Sequence, residues 1–251
     1  MNKLFFIKIL IILVKPIYYL IHYNLFIGLF QKYLIKDFYY KKFIFKIDYE
    51  RIPTSLASSF LFNTYEYNDR VLVEKYIDKK NKSIIIGGGL GFIACINFKK
   101  SKKEFIISEI DKTIIKNLEF NLKKNNCRFK LIKGNLLVKK NKKYDKFFIG
   151  KNFISNSKYI IKQNSISIKN FQLEDVCNLK KYNTLIIDGE GVEEHYIKNL
   201  NYLPNIRYII FELHYNILSK STVDLIFKQL NKKKFKLIYN FFNFFYFRKD
   251  V

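Results

Sequence analysis

The segment LIIDGEGVEE, residues 185–194, places four carboxylates, Asp188, Glu190, Glu193 and Glu194, within seven residues. The whole chain holds only 21 acids among 251 residues, so this density is anomalous. Carboxylates so close together can take a proton from a reacting hydroxyl, hold a cation, or simply face water. The apolar run TLII before them and the glycines at 189 and 191 favour a site over a solvated loop. Glu212 and His214 follow a second apolar run, and their spacing of two puts both on one face of a strand. Asp188, Glu190 and His214 are therefore the candidates for acid–base chemistry, with Asp188 first because it ends its strand. Acids alone suit a hard divalent ion, which makes Asp188, Glu190 and Glu193 an alternative ligand set. Our reading assigns no metal.

A second group of residues points to a bound nucleoside. Gly87, Gly89 and Gly91 form G-x-G-x-G at the end of the apolar run SIII. Closely spaced glycines allow a tight turn with positive φ and let a ligand lie against bare backbone. Glu109 closes the run FIISE eighteen residues after Gly91, where a carboxylate can accept both hydroxyls of a ribose. Loop and acid together imply a cofactor that carries adenosine. They do not choose which one, because Gly89 to Ala94 also satisfies the dinucleotide fingerprint G-x-G-x-x-A.

These residues need elements to hold them. Residues 69–78 put Leu72, Val73, Tyr76 and Ile77 on one helical stripe. Strands are predicted at Ser83–Ile86, Phe105–Glu109, Phe129–Ile132, Thr184–Asp188 and Tyr208–Leu213. A short helix follows the glycines, and Asp111 caps another that carries Ile114, Ile115, Leu118 and Leu122. Shorter β-like pieces lie around Phe147–Ile149 and Ile166–Ile168. Ser221 and Asp224 read as a capping box for a last helix. Phe235–Tyr239 and Phe244–Phe247 are short enough to pair as a hairpin. Alternating β and α with a terminal β-pair predicts a doubly wound, mostly parallel α/β sheet with one antiparallel strand. Open sheets of this kind bind ligands at the carboxyl ends of their strands, where Asp188, Glu212 and Glu109 all stand.

The pattern resembles the FkbM family of methyltransferases. The resemblance rests on Tyr65-Glu66, on the loop IGGGLGF (86–92), on SEID (108–111), on LIIDGEGVEEHYI (185–197) and on IIFELH (209–214). It covers residues 62–214, and D-x-E-G-x-E is its most specific piece. It implies a Rossmann-like methyltransferase fold of seven strands, S-adenosyl-L-methionine as cofactor, and O-methylation of a sugar, polysaccharide or other hydroxylated metabolite. By position, Gly87, Gly89 and Gly91 would lie under the methionine moiety, Glu109 would hold the ribose, and Asn135 would lie near the adenine. One departure stands out: Ile85 replaces an acid that commonly holds the donor's amino end, a role that Asp188 or Glu66 could fill. The rival readings are a cofactor-binding protein without activity and a basic nucleic-acid methyltransferase.

Composition bounds the partners. The net charge is +25, yet only five of the 46 basic residues are Arg. The abundance of Lys, Ile, Asn, Phe and Tyr follows AT-rich codons, so the charge alone does not make nucleic acid the expected partner. A hydroxylated small-molecule or glycan acceptor is expected instead. Cys95, Cys127 and Cys177 lie far apart in sequence and form no disulfide or zinc pattern, which suits a reducing cytoplasm. Residues 4–30 are strongly apolar, but Lys8, Lys15 and Pro16 interrupt them short of the roughly 20 residues a spanning helix needs. They read as a helical extension over 1–60, either in peripheral contact with the inner face of a membrane or packed as a layer on the catalytic domain, ahead of a methyltransferase domain over 61–251.

Overall fold

A computed structural model describes residues 24–49, 52–148 and 165–250, so the expectation for residues 4–23 lies outside the described residues. The chain divides into two compact units, Met1–Tyr65 and Glu66–Val251. No helix among the described residues is long and apolar enough to cross a membrane.

The described part of the first unit holds helix α1 (Asn24–Phe30), a π-helical turn (Gln31–Ile35), strands β1 (Phe38–Tyr40) and β2 (Phe43–Phe45), and helix α2 (Thr54–Leu61). Its helical character was expected; the antiparallel hairpin β1–β2 was not. The hairpin forms because alternate residues Phe38, Tyr40, Phe43 and Phe45 are buried. Phe38 stacks on Phe45 at 5.6 Å and meets Phe60 of α2 at 5.2 Å, giving this unit its own aromatic core.

The second unit contains helix α3 (Tyr67–Tyr76), β3 (Ser83–Ile86), α4 (Phe92–Ser101), β4 (Phe105–Glu109), α5 (Lys112–Lys124), β5 (Phe129–Lys133), β6 (Asn135–Leu137), β7 (Tyr144–Phe148), β8 (Ser165–Gln172), α6 (Leu173–Val176), β9 (Thr184–Ile187), α7 (Glu193–Lys198), β10 (Tyr208–Glu212), α8 (Lys220–Lys232), β11 (Phe235–Phe241) and β12 (Phe244–Lys249). Seven strands form one sheet in the order β11-β12-β10-β9-β3-β4-β5. Neighbours from β10 to β5 run parallel, and β12 is antiparallel to both β10 and β11. This is the doubly wound, mostly parallel α/β sheet with a C-terminal antiparallel hairpin that the sequence predicted. Every residue of β3, β4 and β9 is buried, as continuous apolar runs covered on both faces must be.

Three differences refine the sequence reading. The short pieces β7 and β8 join β6 in a separate three-stranded sheet of order β6-β8-β7. Helix α8 is capped by Ser219, whose Oγ accepts from the Thr222 backbone N–H, and not by Ser221, which sits inside the first turn. Cys95 and Cys127, 32 residues apart, meet with their sulfurs 3.5 Å from each other.

Candidate active site

Order in the sheet decides which strand ends meet. β9 lies between β3 and β10, so the glycine loop after β3 and the acids after β9 and β10 share one edge. Asp188 N–H donates to the Ile86 carbonyl at 2.9 Å. At Gly87, φ is +86°, and a Cβ there would fall 1.9 Å from the Asp188 carbonyl oxygen. Only glycine allows the two segments to approach so closely.

The loop itself is held by Glu109. This side chain is buried, and its Oε2 accepts from the Gly88 and Gly89 N–H groups, each at 3.0 Å. Its Oε1 accepts from Ile110 N–H at 2.7 Å and Asp111 N–H at 2.8 Å. Burial raises its pKa, while these backbone donors pull it back down. From below, Asn121 of α5 donates from Nδ2 to the Leu90 carbonyl at 3.0 Å, and Leu118 and Leu122 fill the space under Gly88 and Gly91. The sequence places Glu109 at a strand end, free to take a ribose; the structure adds that it is buried, with four bonds to the backbone.

The acids form the second part of the site. Glu212 and His214 present their side chains to one place, with Leu213 between them fully buried on the opposite face. His214 Nε2 lies 3.9 Å from Glu212 Oε2. Its Nδ1 lies 2.6 Å from Oε1 of Glu193, which also accepts the His214 backbone N–H at 3.1 Å. Asn243, in the turn between β11 and β12, donates to Glu212 Oε1 at 2.6 Å. Asp188, Glu212 and His214 each offer a ligand atom, all within 4.8 Å of one another. The alternative ligand set read from the sequence grouped Asp188 with Glu190 and Glu193; the structure instead gives Glu193 to the imidazole.

Charge crowding sets the protonation of this centre. Burial, then the charge of Glu212, pushes the Asp188 carboxyl up to about 7, with His214 partly offsetting them. Glu190 is likewise pushed up to about 7, first by burial and then by Asp188 and Glu193, against the pull of His214. Burial alone would lower the His214 pKa, but the bond to Glu193 and the surrounding acids carry it to about 9.

Asp69 of α3 belongs to the same centre and was missed by sequence reasoning. It is buried, and burial followed by the charges of Asp188, Glu212 and Glu66 raises its pKa well above the carboxylate range. The signal was present: Asp69, Leu72, Val73 and Tyr76 fall at i, i+3, i+4 and i+7, so an acid sits on the apolar stripe. Glu66, a proposed donor contact, stands at the N-cap of α3 in the left-handed region and reaches the centre through its charge on Asp69. Asn135 lies buried at the start of β6 and donates from Nδ2 to Asn170 Oδ1 at 2.8 Å. Ile85, where an acid was wanted, is core.

No family model matches the sequence, and no curated protein matches it significantly. Solved structures with a similar course of chain include a methyltransferase from Pyrococcus furiosus, at 12% identity and TM-score 0.47 over 92% of this chain and 96% of that one. The M. jannaschii TYW2 in complex with AdoMet is 14% identical at TM-score 0.47, over 85% and 86%. The ribosomal protein L11 methylase of Lactobacillus delbrueckii subsp. bulgaricus is 15% identical at TM-score 0.46, over 75% and 80%. Likenesses at this level assign neither family nor activity.

Proposed function

We propose that the chain is a methyltransferase that binds S-adenosyl-L-methionine and methylates a hydroxyl of a sugar, polysaccharide or other hydroxylated metabolite, in the manner of the FkbM family it resembles. The observation that carries this reading is the approach at Gly87, where the glycine loop is built directly against the backbone of Asp188. A loop suited to an adenosine-bearing donor thus opens onto a centre suited to acid–base work.

Methyl transfer from a sulfonium is an in-line displacement, so holding donor and acceptor in line supplies much of the rate. A sugar hydroxyl becomes a competent nucleophile as a base takes its proton. Asp188 and Glu190, both held near 7, are the acceptors for that proton, and His214 carries the balancing positive charge. The excess of carboxylates also favours the cationic donor over its neutral product. Gly87, Gly89, Gly91, Glu109, Asn135 and Glu66 are assigned to the donor. Because backbone N–H groups already fill Glu109, taking a ribose there means exchanging some of them for hydroxyls, so donor binding is coupled to a shift of the glycine loop. The buried acid Asp69 joins Asp188 and Glu66 as a partner for the donor's ammonium in place of the acid missing at Ile85. Peripheral membrane contact through residues 4–30 belongs to the same proposal; Phe26, Leu29 and Phe30 of α1 are exposed, as apolar anchors would be.

Calorimetry tests the donor directly. S-adenosylmethionine and S-adenosylhomocysteine should bind more tightly than NAD; tighter binding of NAD would overturn the reading.

A further inference from the structure

We propose that Asp188, Glu212 and His214 form a divalent-cation site, with the imidazole Nε2 and one oxygen of each carboxylate as its protein ligands. The three ligand atoms already converge within 4.8 Å, from the ends of two neighbouring parallel strands. Convergence of acids alone would be weak support. What adds to it is the way two of the ligands are held from behind.

A histidine that binds a metal through one ring nitrogen commonly donates the other N–H to a carboxylate, which fixes the ring and its tautomer. His214 is held in this way. Nδ1 is engaged by Glu193 at 2.6 Å, and the same oxygen takes the His214 backbone N–H, so ring and main chain are fixed together. Nε2 is left facing Glu212 Oε2. Glu212 is oriented in turn, since Asn243 occupies its Oε1 and leaves Oε2 on the imidazole side.

One buried group behind the site calls for positive charge. Glu193 is fully buried, and its Oε2 has no hydrogen-bond partner among the described residues. Burying several carboxylates around one imidazole is costly unless a cation joins them.

The donor set selects the class of ion. Two carboxylates and one imidazole, with positions left open, suit Mn²⁺, Fe²⁺ or Zn²⁺ better than Mg²⁺ or Ca²⁺, which prefer oxygen throughout. What the ion would do rests on the methyl-transfer reading: it would bind the acceptor hydroxyl and lower its pKa, leaving Glu190, outside the ligand set, to take the proton.

The test uses the full chain stripped with chelator and titrated with Mn²⁺ alone, followed by calorimetry and electron paramagnetic resonance. One Mn²⁺ per chain is expected, with a ¹⁴N coupling from imidazole in the unmutated protein. His214→Gln should abolish the nitrogen coupling, and Asp188→Asn and Glu212→Gln should each weaken Mn²⁺ at least tenfold. Glu193→Gln should weaken it roughly 10–100-fold through the ring it holds, while Glu174→Gln, at an exposed position of α6, should leave it unchanged. No stoichiometric binding, binding without nitrogen coupling, or unchanged affinity in folded Asp188→Asn would overturn the site. Donor affinity is measured separately on the chelator-stripped protein. Loss of donor binding with Mn²⁺ binding intact overturns the methyltransferase reading alone; the reverse overturns the cation site alone.

Discussion

Two buried corners of the same sheet edge treat carboxylates in opposite ways. At the end of β4, Glu109 is satisfied, with four backbone N–H groups on its two oxygens. At the ends of β9 and β10, Asp188, Glu190, Glu193 and Glu212 crowd one imidazole, with Asp69 behind them. Burial raises the pKa in both places, but at Glu109 backbone hydrogen bonds counter it ahead of a smaller push from Asp111, whereas at Asp188 the charge of Glu212 adds to it directly. The first arrangement fixes a loop. The second holds charge that folding alone does not neutralise, as centres kept for chemistry do.

The strongest challenge to this contrast is Asp188→Asn. It keeps the shape and removes proton acceptance or, where a cation is bound, a ligand oxygen, so turnover should fall about 10²–10⁴-fold. Steady-state and single-turnover rates with an identified acceptor check it. Loss of donor binding in place of rate would move Asp188 to the donor, as the partner of the ammonium.

Glu109→Ala should act mainly on the fold. It orphans four backbone donors in a buried corner, and at about 1–3 kcal/mol for each group that finds no water, a total loss of roughly 3–4 kcal/mol is expected. Denaturant unfolding measures it. Near-native stability would mean that the loop is held by α5 alone.

Gly87→Ala attacks the junction of the two corners. Strain at φ +86° and a methyl driven against the Asp188 carbonyl should cost about 2–3 kcal/mol. Calorimetry on the folded fraction should also show weaker donor binding; unchanged affinity would separate the loop from the acid centre.

The smallest effect is on stability against pH. The native pKa values of Asp188 and Glu190 are raised, to about 7, so the stability their protonation gives is complete below about pH 4 and is lost as pH rises through 7. His214 has the same sign over a higher window, with stability present below about 6.5 and lost through about 9. Thermal melts should therefore show unmutated protein losing ground between pH 5 and 8 relative to Asp188→Asn, by about 2–4 °C for each kcal/mol. Parallel curves would show the crowded charges to be screened.

Local pattern made much of the fold legible. The apolar runs SIII, FIISE, TLII and YIIFE became β3, β4, β9 and β10, and Asp111 caps α5 through the Thr113 N–H at 2.9 Å. Where two capping hydroxyls competed, pattern chose wrongly: Ser219 and Ser221 both precede the apolar stripe of α8, and only backbone geometry selects Ser219. The site was legible as far as each strand end names its acid. It was not legible where the partner comes from elsewhere, as with Glu193 on His214 or Asn243 on Glu212.

By itself, the sequence determined which segments are strands, which faces are apolar, and that acids stand at the strand ends, because periodicity and burial are properties of neighbours along the chain. Only the tertiary structure decided that Gly87 touches Asp188, 101 residues away, that Asp69 faces the same acids, and that Glu109 is spent on the backbone. Sheet order brings these groups together, and it is fixed by packing of the whole unit, which no local spacing records.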